Sequence, residues 1–217
     1  MAPLLVCHRG ASALAPENSL EAFRLAMHYG VDYSELDVFV AREGDLVVTH
    51  DAVDDPDAQS ALPRLQAVFA LVAGRMGIYV ELKGHGTGAA LGAMLANLKA
   101  PDDSLNLIVG SFVLDLVEEV RTAAPYLPRS VLFGSEWRDR IEAMLDTCRA
   151  FDVTYAHPCF RPIDAALVEA FHAAGLRVMT PHTNDAAEAR YFADIGVDVI
   201  ASDDPRILLP LRFLTQD

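Results

Sequence analysis

The chain is poor in cysteine, tryptophan and basic residues, and it has no long apolar run. It holds 3 cysteines, 1 tryptophan, and 17 lysines and arginines against 31 aspartates and glutamates. Cys7, Cys148 and Cys159 are odd in number and have no metal-ligand spacing, which argues against a disulfide framework or a zinc ribbon and fits a reducing interior. A formal net charge of -14 repels polyanions, so nucleic acid and anionic membrane surfaces are excluded as general partners. The apolar stretch Leu4 to Cys7 is too short for a signal peptide or a span and has no basic flank. We therefore expect a cytoplasmic protein with no stable membrane insertion; nothing here sets an oligomeric state. No Gly-x-Gly-x-x-Gly turn follows the first apolar run, which weakens a nucleotide-binding open sheet.

What is present is a strongly apolar, alternating chain. Hydrophobic residues make up 52% and charged ones 22%, enough for a large buried core and too apolar for disorder. β-Branched runs alternate with amphipathic stretches from end to end, the pattern of repeated strand–helix units around a parallel sheet. Strands are predicted at Leu4 to His8, Tyr33 to Val40, Ile78 to Lys83, Leu105 to Ser111, Ser130 to Phe133, Val153 to His157, Arg177 to Thr180 and Val199 to Ser202. That is about eight, the barrel number, with Leu46 to His50 as a further extended piece that either pairs antiparallel with the second strand or continues it after the Arg42-Glu43-Gly44-Asp45 turn. Residues 1–217 show no linker or repeat and read as one domain of the α/β class, a (β/α)8 TIM barrel. An open doubly wound sheet is the alternative. Asn18 followed by Glu21 has the spacing of a capping box for a helix ending at Gly30. Pro63 is expected to open a helix through Leu71, Pro101 to end the next, and Ala165 to Ala174 to close at Gly175. Gly84, Gly86 and Gly88 read as a tight strand–helix connection.

Side chains at the C-terminal ends of parallel barrel strands converge on one face, where chemistry is built. His8-Arg9-Gly10, Glu35-Leu36-Asp37, His50-Asp51 and Glu81-Leu82-Lys83 each close a strand-like run. Glu35 and Asp37 are two apart on a strand, so they share a face with Cα atoms roughly 6.6 Å apart, a span two carboxylates close around one cation. Glu81 and Lys83 repeat that spacing next door. Three acidic groups make an oxygen-rich site that prefers Mg²⁺ or Ca²⁺ to zinc; the bland reading is a charged mouth in which Lys83 neutralises Glu81. His8 and His50, as a pair straddling a phosphate, would each contribute about 10²- to 10⁴-fold as proton carriers; the bland reading is two core histidines held by carbonyls. Asp51 either orients His50 or caps the next turn, and its adjacency in sequence points it away from the ring. The inventory suits metal-assisted cleavage of a phosphate ester.

These segments, with Pro16-Glu17-Asn18, Gly44 to Asp51, Ser111-Phe112 and Gly196-Val197-Asp198 to Asp204-Pro205, resemble the glycerophosphodiester phosphodiesterase family almost end to end. The resemblance implies a distorted (β/α)8 barrel in which His8 and His50 are the acid/base pair. It implies that Glu35, Asp37 and Glu81 bind a divalent metal, and that Arg9 and Lys83 contact the phosphate of a small-molecule glycerophosphodiester. Two departures stand out. Only Ala52 to Met76 occupy the place of the family's inserted subdomain, and they read mostly as one helix beginning near Leu62, so an open pocket is expected. Where the family shows Trp-Thr-Val-Asn, this chain has Met179-Thr180-Pro181-His182-Thr183-Asn184.

The activity so implied is hydrolysis to glycerol 3-phosphate and an alcohol. A lyase that stops at a cyclic phosphate and a non-catalytic binding barrel are the alternatives. His157, His182 and Trp137 stand near late strand ends, where they either line the mouth or pack. His28 and His172 read as helix surface, and His85 as solvent-facing. Asp203-Asp204-Pro205 reads as the cap of the last helix, its acidity arguing against a phosphate pocket there.

Overall fold

Short β-branched and aromatic runs fold as strands, and the longer amphipathic stretches between them fold as helices. The computed structural model describes residues 2–97 and 105–213. Its strands are β1 (Leu4–Cys7), β2 (Tyr33–Val40), β3 (Leu46–Val48), β4 (Gly77–Leu82), β5 (Leu107–Ser111), β6 (Arg129–Phe133), β7 (Tyr155–Pro158), β8 (Arg177–Val178) and β9 (Val199–Ser202). Its helices are α1 (Leu20–Tyr29), α2 (Pro56–Ala61), α3 (Leu65–Val72), α4 (Thr87–Asn97), α5 (Leu114–Ala123), α6 (Ile141–Ala150), α7 (Ala165–Ala173), α8 (Ala186–Asp194) and α9 (Pro205–Leu208). The helix end predicted at Pro101 lies outside the described residues.

Strand pairing runs β8-β7-β6-β5-β4-β2-β1-β9, parallel throughout, and β3 lies antiparallel on β2 off this path. The ring nearly closes. β8 is 2 residues long and meets β9 through the bridge Met179 to Val199, flanked by the hydrogen bond from the Asp198 amide to the Val178 carbonyl at 3.1 Å. This is a nearly closed single-domain (β/α)8 barrel, the first of the two folds the alternation allows, and the distortion that the family resemblance implies shows in the short β8.

Two apolar layers hold it. Val6, Tyr33, Tyr79, Ile108, Leu132, Tyr155, Met179 and Val199, one from each strand of the ring or its immediate end, form the interior cluster. A larger outer cluster seats the helices, and in β4 it takes Ile78, Val80 and Leu82. Strand alternation then dictates what stands above each inner residue. Tyr33 is followed inward by Glu35 and Asp37, Tyr79 by Glu81, and Val6 by His8. Small residues make room within this layer. The Tyr79 hydroxyl crosses β5 to reach the Ser130 hydroxyl at 2.8 Å, and a Cβ on Gly110 would collide with both.

Several predicted helix starts move for identifiable reasons. Ser19, not Asn18, caps α1, its hydroxyl accepting from the Ala22 amide at 3.1 Å; Asn18 is left-handed (φ 54°) and turns its side chain elsewhere. Gly30 ends α1 in the left-handed conformation expected (φ 71°). Pro63 opens no helix, because its carbonyl accepts from the Val48 amide at 2.9 Å and Arg64 bridges Val47, which keeps the pair extended along β3. The stretch predicted as one helix is therefore two, α2 capped by Asp55 and α3 beginning at Leu65. Asp204 caps α9 as expected.

Gly10 ties the turn after β1 to α1. Its φ is 81°, and an added Cβ would lie 2.5 Å from the Cβ of Ala22. Gly10→Ala should therefore lower the unfolding free energy by about 2 kcal/mol or more, read as a lower urea midpoint; an unchanged midpoint would mean that the turn relaxes freely.

Candidate active site

Above the tyrosine layer the inner positions become acidic. Asp37 on β2 is the register partner of Glu81 on β4, and Glu35 sits one inward step below Asp37. Their carboxylates are buried, and one oxygen from each lies within 4.8 Å of the others. Such a cluster needs counter-charge and donors. Lys83 places its ammonium 2.5 Å from Glu81 and 3.1 Å from Asp37. Arg9 sets Nε 3.3 Å from Asp37, and its backbone N–H donates to Glu35 at 2.9 Å. Asn18 donates to Asp37 at 3.0 Å, which is where the side chain missing from the helix cap has gone. The other oxygen of Glu35, Oε1, is buried with no hydrogen-bond partner. Burial first, then the charges of Asp37 and Glu81, push the Glu35 carboxyl well above the usual carboxylate range. Burial also raises Glu81, against the pull of Lys83.

The histidines come from the turns just past the strands. His8 follows β1, its amide donating to the Ser202 carbonyl at 2.9 Å, and its Nδ1 donates to Asp203 at 2.7 Å. The Asp203 carboxylate also accepts from Asn184 at 2.6 Å. Burial alone would raise Asp203, but the hydrogen bonds from His8 and Asn184 hold it well below the usual range. His50 lies past β3, fixed by the Thr49 amide donating to the Asp37 carbonyl at 3.0 Å. Its Nδ1 meets the Asp51 carboxylate at 2.9 Å, so adjacency does not point Asp51 away: the bend after β3 turns both side chains to one side. Both rings therefore have Nδ1 tied to an aspartate and Nε2 left to act.

His8, Arg9, Glu35, His50, Glu81 and Lys83 line one cavity of about 380 Å³. Asp37 stands one layer behind it. None of residues 51–76 lines this cavity, and α2 buries no residue. The far wall is Leu132, His157, Cys159, Arg161, Met179 and His182, with Phe112 exposed at the rim. Met179 thus occupies the inner position of the missing tryptophan. Trp137 does not reach the cavity; it packs edge-on to Phe133 at 5.1 Å. Asp203 was missed as more than a cap, yet period two along β9 signals it: Val199 and Ala201 face the cavity, and Asp203 is the next inner position. Asn18 carried no such signal.

A ring of parallel strands carrying a buried oxygen-donor cluster and two aspartate-tied histidines around one cavity defines a barrel enzyme of phosphoester chemistry. The comparisons sharpen this. The chain belongs to the glycerophosphoryl diester phosphodiesterase family, whose profile matches residues 8–62 and 55–207. It is 27% identical over 246 residues to a glycerophosphodiester phosphodiesterase of Caldanaerobacter subterraneus subsp. tengcongensis, covering 97% of this chain and 98% of that protein. Its fold is similar to that of an Oleispira antarctica phosphodiesterase solved in complex with the product sn-glycerol-3-phosphate (TM-score 0.83, 24% identity, 97% of each chain). It is also similar to that of a Thermotoga maritima glycerophosphodiester phosphodiesterase (TM-score 0.80, 24% identity, 98% and 99%).

His157 gives the site a measurable pH signature. Its Nδ1 meets the Tyr79 hydroxyl and its Nε2 donates to the Thr180 carbonyl, both at 3.1 Å. Burial pulls its pKa down from 6.5 to about 4. The unfolded chain therefore binds the extra proton first, so stability is full above about pH 6.5 and falls as pH drops towards 4, by about 2–3 kcal/mol from this group. His157→Gln should flatten that segment of the stability–pH curve; an unchanged slope between wild type and variant would contradict the assignment.

Proposed function

We propose that the protein is a metal-dependent hydrolase that cleaves a glycerophosphodiester to glycerol 3-phosphate and an alcohol. The observation that carries this reading is the buried trio Glu35, Asp37 and Glu81, with the orphaned Glu35 Oε1, of which Glu35 and Glu81 line the cavity that His8 and His50 share and Asp37 stands just behind. All-oxygen donors of this charge suit a hard divalent ion, Mg²⁺ or Ca²⁺, and a partnerless buried carboxylate oxygen is the sign of a ligand position. When bound, such an ion polarises a phosphate oxygen and lowers the cost of an alkoxide or hydroxide.

The chain's own residues do the rest. Glu35, Asp37 and Glu81 hold the ion, and Arg9 and Lys83 bring positive charge to the phosphate. His8 and His50 face the substrate through Nε2, one taking a proton from the attacking oxygen and the other giving one to the departing oxygen. The aspartate on each Nδ1 fixes the tautomer and stabilises the ring when it is charged. Among the described residues no helix is long and apolar enough to cross a membrane, and the three cysteines are free, as a reducing compartment such as the cytoplasm leaves them.

His8→Ala and His50→Ala should each lower kcat on glycerophosphocholine by at least about 10²-fold with metal affinity nearly intact. Unchanged turnover in either would remove the acid/base pair. Glu35→Gln should weaken metal binding and be rescued by added ion. A phosphorus signal that halts at a cyclic phosphate would make the enzyme a lyase, and no release from any headgroup would make it a binding barrel.

A further inference from the structure

His182 belongs to the segment that departs from the family pattern, and its ring lies flat on His8. The ring centroids are 3.9 Å apart and the planes differ by 8°. This contact is built, not incidental. The Thr183 amide donates to the Ala201 carbonyl at 2.9 Å, and Arg161 donates to the His182 carbonyl at 3.0 Å while forking onto Glu188. Asn184 completes the frame, accepting from the Ser202 hydroxyl and the Asp203 amide while donating to the Asp203 carboxylate.

We propose that His182 is a positioning residue for His8, its ring covering one face of the imidazole while Asp203 fixes the edge. Two contacts at right angles define the plane: the hydrogen bond at Nδ1 stops rotation within it, and the stacked ring stops tilting out of it. Nε2 of His8 is then aimed at one place. Shared ligation of an ion by the two rings is a poorer account, because an ion sits in the plane of each imidazole it binds and nearly parallel planes do not meet nearby.

Charge fits the same role. Partial burial of its ring and then the charge of His8 lower the pKa of His182, which favours a neutral ring on the face of His8. The other charged groups acting on His182 are Asp203, Arg9 and Arg161, the last committed to Glu188.

The catalytic part of this inference rests on the proposed phosphodiesterase reading; the ring geometry does not, and the experiment separates them. Nitrogen-15 spectra of the histidine rings should show His8 in the Nδ1–H tautomer in wild type and in His182→Phe, and exchange-broadened in His182→Ala. With glycerophosphocholine, His182→Ala should lower kcat by about tenfold or more at nearly constant KM, and His182→Phe should recover most of it. His182 is exposed, so both variants should fold with near-native melting. Unaltered His8 signals and turnover in His182→Ala would overturn the inference, as would His182→Phe no better than His182→Ala. If wild type turns over no glycerophosphodiester, the functional reading falls, and the ring spectra still decide the positioning role.

Discussion

Three carboxylates buried together are the constraint on which the rest of this structure depends. Removing even one such charge from water costs several kcal/mol unless donors and counter-ions replace the hydration shell. The chain answers with an arrangement that reaches across four elements. Lys83 rises from the end of β4, Arg9 leans over from the turn after β1, Asn18 is taken from the start of α1, and the Arg9 amide caps Glu35. The left-handed backbone at both Arg9 and Asn18 serves these contacts (φ 56° and 54°); it costs the arginine, while asparagine is among the residue types that tolerate it best. Even so, Glu35 Oε1 stays without a partner, in the position where the proposed cation would sit.

The second constraint is closure. The barrel is weakest between β8 and β9, and directly above that seam run the hydrogen bonds that orient His8. Asn184 from the loop after β8 joins Ser202 and Asp203 at the end of β9, and Asp203 reaches His8 past β1. The same groups therefore stitch the ring shut and aim the imidazole proposed to move a proton. A loosening of the seam would be felt first at His8, before the apolar layers below it are disturbed, because the inner cluster of Val6, Met179 and Val199 is continuous across the seam.

The barrel was legible because its signal is repeated: each strand is an apolar run, each helix an amphipathic one, and errors in one unit do not spread. Six of the seven expected site residues line the cavity because strand-end position is a backbone property that sequence spacing carries. What escaped depends on side chains crossing between elements. Asn18 and Glu21 satisfy a capping pattern perfectly well, and only the presence of Asp37 next to Asn18 in space gives the asparagine better employment. Asp51 was read by strand alternation, which fails in the bend where it lies. Pro63 resembles a helix start until β3 pairs with it. Asp203 was hidden by its neighbour, since Asp204 and Pro205 explain the helix cap so fully that the inward step beside them looks redundant.

The overall charge of -14 and an anionic substrate are compatible for the same local reason. Many of the acids are spent at short range: Asp55, Asp164, Asp185 and Asp204 cap helix N-termini, and Glu188, Glu118 and Asp194 pair with arginines. Physiological salt confines what is left to about 8 Å. Around the cavity, Glu35, Asp37 and Glu81 stand against the two cations Arg9 and Lys83, and the raised pKa of Glu35 and Glu81 keeps the local negative charge below that of three full carboxylates. A divalent ion held there, as proposed, would add two positive charges opposite the single negative charge of a phosphodiester. On the proposed reading, the ion would therefore serve the binding of the phosphate as well as its chemistry.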